Sequence, residues 1–330
     1  MEISVRNVNQ AFSELFWKLK VLNLTPEHTR NGPALVFPEP VITTYACPME
    51  RVLFHPGRDC NPIFHLLESI WILAGRRDVA FLQQFNSKIG QYSDDGKVFN
   101  AAYGYRIRHH FGRDQLVEVV QLLRRDPCTR QAVLQIWDQA DLTKKTKDKA
   151  CNVEVIFDNR GGRLNMSVMN RSNDAYYGTY GANAVHFSIL QEFVASAVGL
   201  RTGVYRQISN NLHLYTELYD TKKYLTLPPD SEVYDHYSSG RVRPSPLMLN
   251  GEYKSFLQDC ERFCNDPFDP RAVYVHPFIK HVAAPMAMVS RVRKTSAGDG
   301  RGYASQIRSE DWRRATIEWI ARRESLKLST

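Results

Sequence analysis

Two short runs of alternating apolar residues, separated by a glycine pair, constrain this chain more than any other feature. Val153, Val155 and Phe157 alternate in the first run, and Leu164, Met166 and Val168 in the second. A period of two marks a strand with one buried face, and Gly161-Gly162 supplies the turn of a hairpin. Helical spacing surrounds it. Pro62 to Ala74 (PIFHLLESIWILA) reads as a buried helix closed by Gly75. Asp114 caps a second helix, Gln115–Arg125, whose Leu116, Val119, Val120 and Leu123 form one stripe before Asp126-Pro127 ends it. Ala132–Trp137 is expected to be a strand, Thr143–Lys149 a solvated lysine-rich loop, and Phe187–Val198 a helix running into Gly199. From Leu225 the chain turns Pro-rich and irregular, and Glu310–Arg323 has helical spacing with a basic face. Helices and antiparallel strands mix without a βαβ repeat, so the expected class is α+β. No linker splits the 330 residues. One domain is expected over 1–290, with a helical extension over 291–330.

Hydrophobic residues at 43% and charged ones at 24% are those of a globular chain. The longest apolar run, around His281–Val289, is broken by Pro285 and is far shorter than the ~20 residues that span a bilayer. The opening MEISVRNVNQ has neither a signal-peptide core nor a basic, Ser-rich character. A soluble, cytoplasmic protein is expected. The net charge of +8 suits an anionic partner, either nucleic acid or small phosphorylated and carboxylated ligands. Cys47, Cys60, Cys128, Cys151, Cys260 and Cys264 form no CxxC pair, so neither a disulfide framework nor a zinc site is expected. HExxH, Walker and GxGxxG motifs are absent, and no metal is expected.

Chemistry concentrates around two segments. Cys151 lies between the cationic loop and a strand, where a buried core thiol is the plain alternative to a nucleophile. Some twenty residues on, Asn170-Arg171-Ser172-Asn173-Asp174 is a dense polar run where a strand ends, followed by Gly178 and Asn183. A guanidinium fork beside a hydroxyl suits a phosphate.

These residues, with others in order, resemble the thymidylate synthase and pyrimidine nucleotide hydroxymethylase superfamily. The resemblance runs from about Arg30 to Leu218. It is carried by Glu68-Ser-Ile-Trp71-Ile-Leu-Ala-Gly75, Ala102-Tyr103-Gly104-Tyr105-Arg-Ile-Arg108 and Asp126-Pro-Cys-Thr-Arg130. Ala150-Cys151-Asn152, Arg171-Ser-Asn-Asp174-Ala-Tyr-Tyr-Gly178, Asn183 and Leu212-His213-Leu214-Tyr215 complete it. It implies a thymidylate synthase-like mixed sheet packed with helices, and one-carbon transfer from 5,10-methylenetetrahydrofolate to C5 of a pyrimidine nucleoside monophosphate. Cys151 would add to C6 of the ring as a thiolate, eased in its ionisation by Arg171 and its fellow arginines. Arg30, Arg171 and Ser172 resemble phosphate ligands, and Arg130 the arginine lent across a homodimer with shared active sites. Asn183 would read the base and His213 and Tyr215 the sugar hydroxyl. Glu68 would organise water and protons, with Tyr103 near C5. Asp174, Arg58, Ile89, Tyr92 and Gly178 would lie on the folate side.

The chain departs from the synthases in ways that bear on the product. Asn152 replaces a histidine after the nucleophile, and Gln131 a second arginine. Ile89 and Tyr92 fall where a pair of tryptophans shields the methylene intermediate, and one extra residue separates Gly178 from Asn183. The short tail that closes over folate is replaced by residues Arg291–Thr330. A dry wall favours hydride and a methyl product; a smaller or more polar wall admits water and a hydroxymethyl product. Hydroxymethylation is therefore the expectation, with thymidylate synthesis as the alternative. An amide at 183 suits uracil, so dUMP comes first and dCMP or CMP next. A rival reading as a nucleic-acid-binding protein, using the basic helix Trp312–Arg323 with Trp319, leaves the ordered motifs unexplained.

Overall fold

The computed structural model of this chain describes residues 1–217, 234–248 and 251–328. Its centre is the expected hairpin. Strands β6 (Asn152–Arg160) and β7 (Arg163–Asn170) pair antiparallel with Val155 opposite Val168 and Phe157 opposite Met166. Gly161 (φ 58°) and Gly162 (φ 75°) both take the left-handed turn that a two-residue hairpin requires. Around it grows a six-stranded mixed sheet, order β1-β4-β9-β7-β6-β5. Its other strands are β1 (Glu2–Val5), β4 (Val41–Tyr45), β5 (Val133–Gln135) and β9 (Arg201–Ser209). A second sheet, β2 (Glu27–Thr29), β3 (Gly32–Val36), β10 (Leu212–Tyr215) and β8 (Asn173–Asp174), runs in the order β2-β3-β10-β8. An α+β architecture of mixed sheets packed with helices is what results.

One face of the large sheet, with Leu134, Val155, Phe157, Met166, Val168 and Tyr205, is buried. Helices α1 (Val8–Leu22), α2 (Pro62–Leu73), α5 (Gln115–Arg125) and α6 (Asn183–Val198) contribute to the same core. The short helices α3 (Val79–Gln83) and α4 (Tyr103–Tyr105) flank α2. Gly104 allows α4 its approach: a Cβ there would stand 2.1 Å from the Ile72 carbonyl oxygen.

The irregularity expected from Leu225 onward falls partly outside the described residues, and beyond 251 the chain is instead helical. Helix α7 (Tyr253–Asn265) buries Cys260 and Cys264 one turn apart as core thiols. Helix α8 (Ala284–Lys294) follows a wide π turn, Ile279–Ala283, and takes Pro285 in its first turn, where a missing N–H is tolerated. The short α9 (Arg301–Ala304) leads to α10 (Glu310–Leu328), which buries Trp312, Ala315 and Ile320 in the common core. Its basic face is engaged. Arg322 and Arg323 both bond Asp59, at 3.0 and 2.5 Å, and Trp319 lies between the guanidinium groups of Arg293 and Arg323. No helix among the described residues is long and apolar enough to cross a membrane.

A buried ion pair holds the loops around the hairpin's open end. Arg106, 1% exposed, forks onto Asp141 at 2.8 and 2.9 Å and also donates to the carbonyls of Asn100 and Ile136. Burial works against the Asp141 carboxylate, yet the Arg106 hydrogen bonds keep it below the usual range. Arg106→Leu strands that carboxylate, and the expected loss of stability in urea unfolding is about 3–5 kcal/mol. Adding Asp141→Leu to the same variant should recover most of it.

Candidate active site

Helix α2 is apolar on every side, and Glu68 is its one residue that is not buried. Helix α6 is almost as enclosed. Where the two meet, Glu68 from α2 and Asn183 and His186 from α6 face a cavity of about 240 Å³. Asn183 and His186 are three residues apart and so share one helix face. Trp71, Ile72, Leu82 and Phe99 form the apolar part of the wall, and Ile89, Tyr92, Tyr103 and Asp148 complete it. A flat, partly polar heterocycle fits such a lining, as folate and a pyrimidine both require. His186 Nε2 stands 3.1 Å from Glu68 Oε2, yet makes no hydrogen bond of acceptable geometry among the described residues.

The extra residue before Asn183 is absorbed by a wide turn. Residues Ala175–Ala182 are π-helical with a kink at Tyr180, and the Asn183 N–H donates five residues back to the Gly178 carbonyl. Helix α6 therefore starts at Asn183, four residues before the Phe187 expected from the apolar stripe. The Asn183 amide is fixed by Asn173: Asn183 Nδ2 donates to Asn173 Oδ1 (3.0 Å), and Asn173 Nδ2 donates to Gln207 Oε1 and Ser209 Oγ (both 3.2 Å). Gly178 makes room for this pair, because a Cβ there would lie 2.7 Å from Asn173 Oδ1.

Cys151 stands just before β6 and is not among the residues that line the cavity. The Arg171 N–H donates to the Cys151 carbonyl (2.9 Å) and Arg171 Nε to the Ala150 carbonyl (2.8 Å), with the guanidinium stacked 5.2 Å from the Trp137 ring. Burial pushes the Cys151 thiol above its ordinary value, and Arg171 and Arg30 oppose this without overcoming it, since Asp148 and Asp174 add to the rise. The expected easing of ionisation by the arginines is thus present but outweighed. Burial, followed by the charges of Cys151 and Asp148, also holds the Tyr103 hydroxyl well above its ordinary value, so it keeps its proton. Asp148 departs from the solvated-loop expectation: its Oδ2 accepts from the Ala101 N–H at 2.8 Å, and burial raises its carboxyl. Asn152 does not line the cavity and is fully buried, its amide atoms without a partner among the described residues.

The small sheet assembles the remaining polar groups. His213 of β10 sits opposite Asp174 of β8, and Tyr215 packs edge-on to His213 with centroids 4.8 Å apart. Burial lowers the His213 imidazole, opposed by the Asp174 charge. Asn31 Nδ2 donates to the Tyr215 hydroxyl (3.2 Å), which ties the turn carrying Arg30 to the same sheet. Arg30 itself is exposed, and Ser172 is half-buried between Arg171 and Asn173.

Asp174 caps the π turn, accepting from the N–H groups of Tyr176 and Tyr177 at 3.1 Å. Arg58 does not line the cavity. It is 5% exposed, donates to the Tyr176 carbonyl (2.8 Å) and lies against the Tyr176 and Tyr177 rings at 4.4 and 4.7 Å. Arg130 is exposed and apart from the cavity lining. Sequence reasoning missed Asn173 as a brace, Asp148 and His186. For His186 no signal existed, since a lone histidine within an apolar stripe reads as core.

A family model described as thymidylate synthase matches residues 60–231. The chain is also 41% identical, over 98% of its length and 94% of the relative's, to a protein of Pseudomonas phage M6 named deoxyuridylate hydroxymethyltransferase. The chain belongs to the thymidylate synthase family. Proteins of Bacillus phage SP01 and Delftia phage PhiW-14 with that same name are 43% and 31% identical, over 56% and 52% of this chain and 51% of each relative. This family member is a one-carbon transferase with methylenetetrahydrofolate as cosubstrate.

A thiol raised by burial reacts slowly at neutral pH. Alkylation of Cys151 by iodoacetamide, followed by peptide mass spectrometry, should accelerate with pH and still be accelerating beyond 9.0, the ordinary thiol value. Arg171→Gln removes the main opposing charge and should move the profile further up. A plateau reached below about pH 8 contradicts this assignment.

Proposed function

We propose that this chain carries the one-carbon unit of 5,10-methylenetetrahydrofolate to C5 of deoxyuridylate and completes the transfer with water. The products are 5-hydroxymethyldeoxyuridylate and tetrahydrofolate. The polarity of the cavity wall carries this reading: Glu68, Tyr103, Asp148, Asn183 and His186 face the same space as Ile89 and the exposed Tyr92. Such a wall retains water where two tryptophans would exclude it. The name borne by the near-full-length phage relative supports the same reaction.

Arg30, Arg171 and Ser172 take the phosphate, and His213 and Tyr215 the sugar hydroxyl. With one Nδ2 hydrogen held by Asn173, Asn183 keeps its Oδ1 to accept from N3–H and its second hydrogen to donate to O4 of uracil. Cys151 Sγ bonds to C6, C5 takes up the one-carbon unit, and the Tyr103 hydroxyl assists as C5 loses its proton. Asp174 serves the pterin with Ile89 and Tyr92 as walls. Arg58 and Gly178 act behind them, one holding the π turn and the other leaving room for Asn173. These substrates place the enzyme in the cytoplasm.

We further infer a homodimer. The outer face of the large sheet presents Ile42, Val133, Ile156, Met169 and Ile208. Arg130, exposed just before β5 at that sheet's edge, would reach the phosphate of a second copy.

Incubation with the cosubstrate and each of dUMP, dCMP, UMP and CMP, followed by mass spectrometry, tests the reaction. Deoxyuridylate should gain one CH₂O unit with no rise in dihydrofolate absorbance. Thymidylate with stoichiometric dihydrofolate would make the protein an ordinary synthase. Asn183→Asp should shift preference toward cytosine. For the dimer, mixing the inactive variants Arg130→Ala and Cys151→Ser should restore activity, since one site of the mixed dimer regains both groups; no recovery despite subunit exchange contradicts sharing.

A further inference from the structure

His186 is 5% exposed and lines the cavity, and its buried Nε2 lies 3.1 Å from Glu68 Oε2 without a hydrogen bond among the described residues. A buried ring nitrogen close to a carboxylate but out of line with it calls for a third partner. One water molecule lodged in the cavity meets both groups at once. His65 gives the contrast. It lies on the same side of α2, with its ring 6.4 Å from that of His186, but it does not line the cavity. Burial, Arg58 and His186 hold it well below the ordinary imidazole value, as for a neutral core histidine.

We propose that His186 and Glu68 together hold the water that completes the one-carbon transfer, an inference that rests on the hydroxymethylation reading. Water oxygen bonds to the exocyclic methylene carbon while one water proton passes to Glu68. The methylene π electrons move into the ring as the C4 enolate. That enolate then re-forms the carbonyl, C5=C6 is restored and the C6–Sγ bond breaks, which returns Cys151 as thiolate; Glu68 gives its proton to solvent. His186 Nε2 fixes the water oxygen on the line of attack. Asn183, one turn away on the same face, holds the base that receives it.

Single-turnover reactions with [5-³H]deoxyuridylate and methylenetetrahydrofolate separate the steps, because tritium leaves C5 before water attacks. His186→Leu should release tritium at the native rate and bind nucleotide natively by calorimetry. Its hydroxymethyl product should form on the order of 100-fold more slowly, the effect of a misplaced reactant. The share of dihydrofolate should rise, since hydride then has less competition. His186→Gln, which keeps a hydrogen-bonding group, should recover part of the loss and carries the test alone should His186→Leu fail to fold. Equal slowing of tritium release and product formation would mean a structural role only, and native product formation would mean none; either overturns the proposal. Thymidylate and dihydrofolate from the native protein would instead overturn the hydroxymethylation reading, and the water-holding role with it.

Discussion

Helices α2 and α6 have no polar face to give to solvent, and that requirement organises the rest of the molecule. Each fully buried Leu, Ile or Phe contributes roughly 1.5–3 kcal/mol, so both helices are driven to the centre, where they meet each other and the sheet. Polar groups along them survive on strict terms. Gln191 Nε2 donates to the carbonyls of Leu164 and Val204, Glu192 pairs with Arg51 at 2.5 Å, and Ser69 donates to the His65 carbonyl. Of the others, Glu68, Asn183 and His186 line the cavity. The site is the place where the core lets polar side chains go unfilled.

Electrostatics around Cys151 follow from the same enclosure. A thiol set at the edge of a core gains shielding from water and loses ease of ionisation. Arg171 offsets part of that loss while its backbone N–H and Nε hold the chain on either side of the thiol. Burial raises the Asp148 carboxyl, and it holds the Tyr103 hydroxyl well above its ordinary value, so that Tyr103 supplies an O–H group near the ring.

Much of this was legible from residue order. The hairpin followed from period-two alternation and Gly161-Gly162, and α5 from Asp114, whose carboxylate does accept from the Val117 N–H (3.2 Å). In the polar run Asn170–Asp174, Asn173 braces Asn183 and Asp174 caps the π turn. Other parts carry no local signal. Strand β8 is two residues long and exists only through its pairing with β10. Asp148 sits in a lysine-rich stretch and turns inward only because the Ala101 N–H needs an acceptor. Arg58 carried a ligand-binding expectation, but stacking on two tyrosines decided its place. Helix α10 was expected from the spacing of Glu310–Arg323, whereas α8 was hidden by Pro285, which sits in its first turn.

The π turn before α6 gives the two halves of the site a mechanical independence. Arg171 and Ser172 lie between β7 and β8, whereas Asn183 and His186 are locked by the burial of α6. The eight-residue π-helical segment Ala175–Ala182 joins them. In a regular helix one inserted residue turns everything after it by about 100°. Here the wider turn takes up that rotation, so length can change between the grips while the base-facing side chains keep their direction. The direction of Asn183 and His186 is thus set by α6 and not by the length of the segment before it.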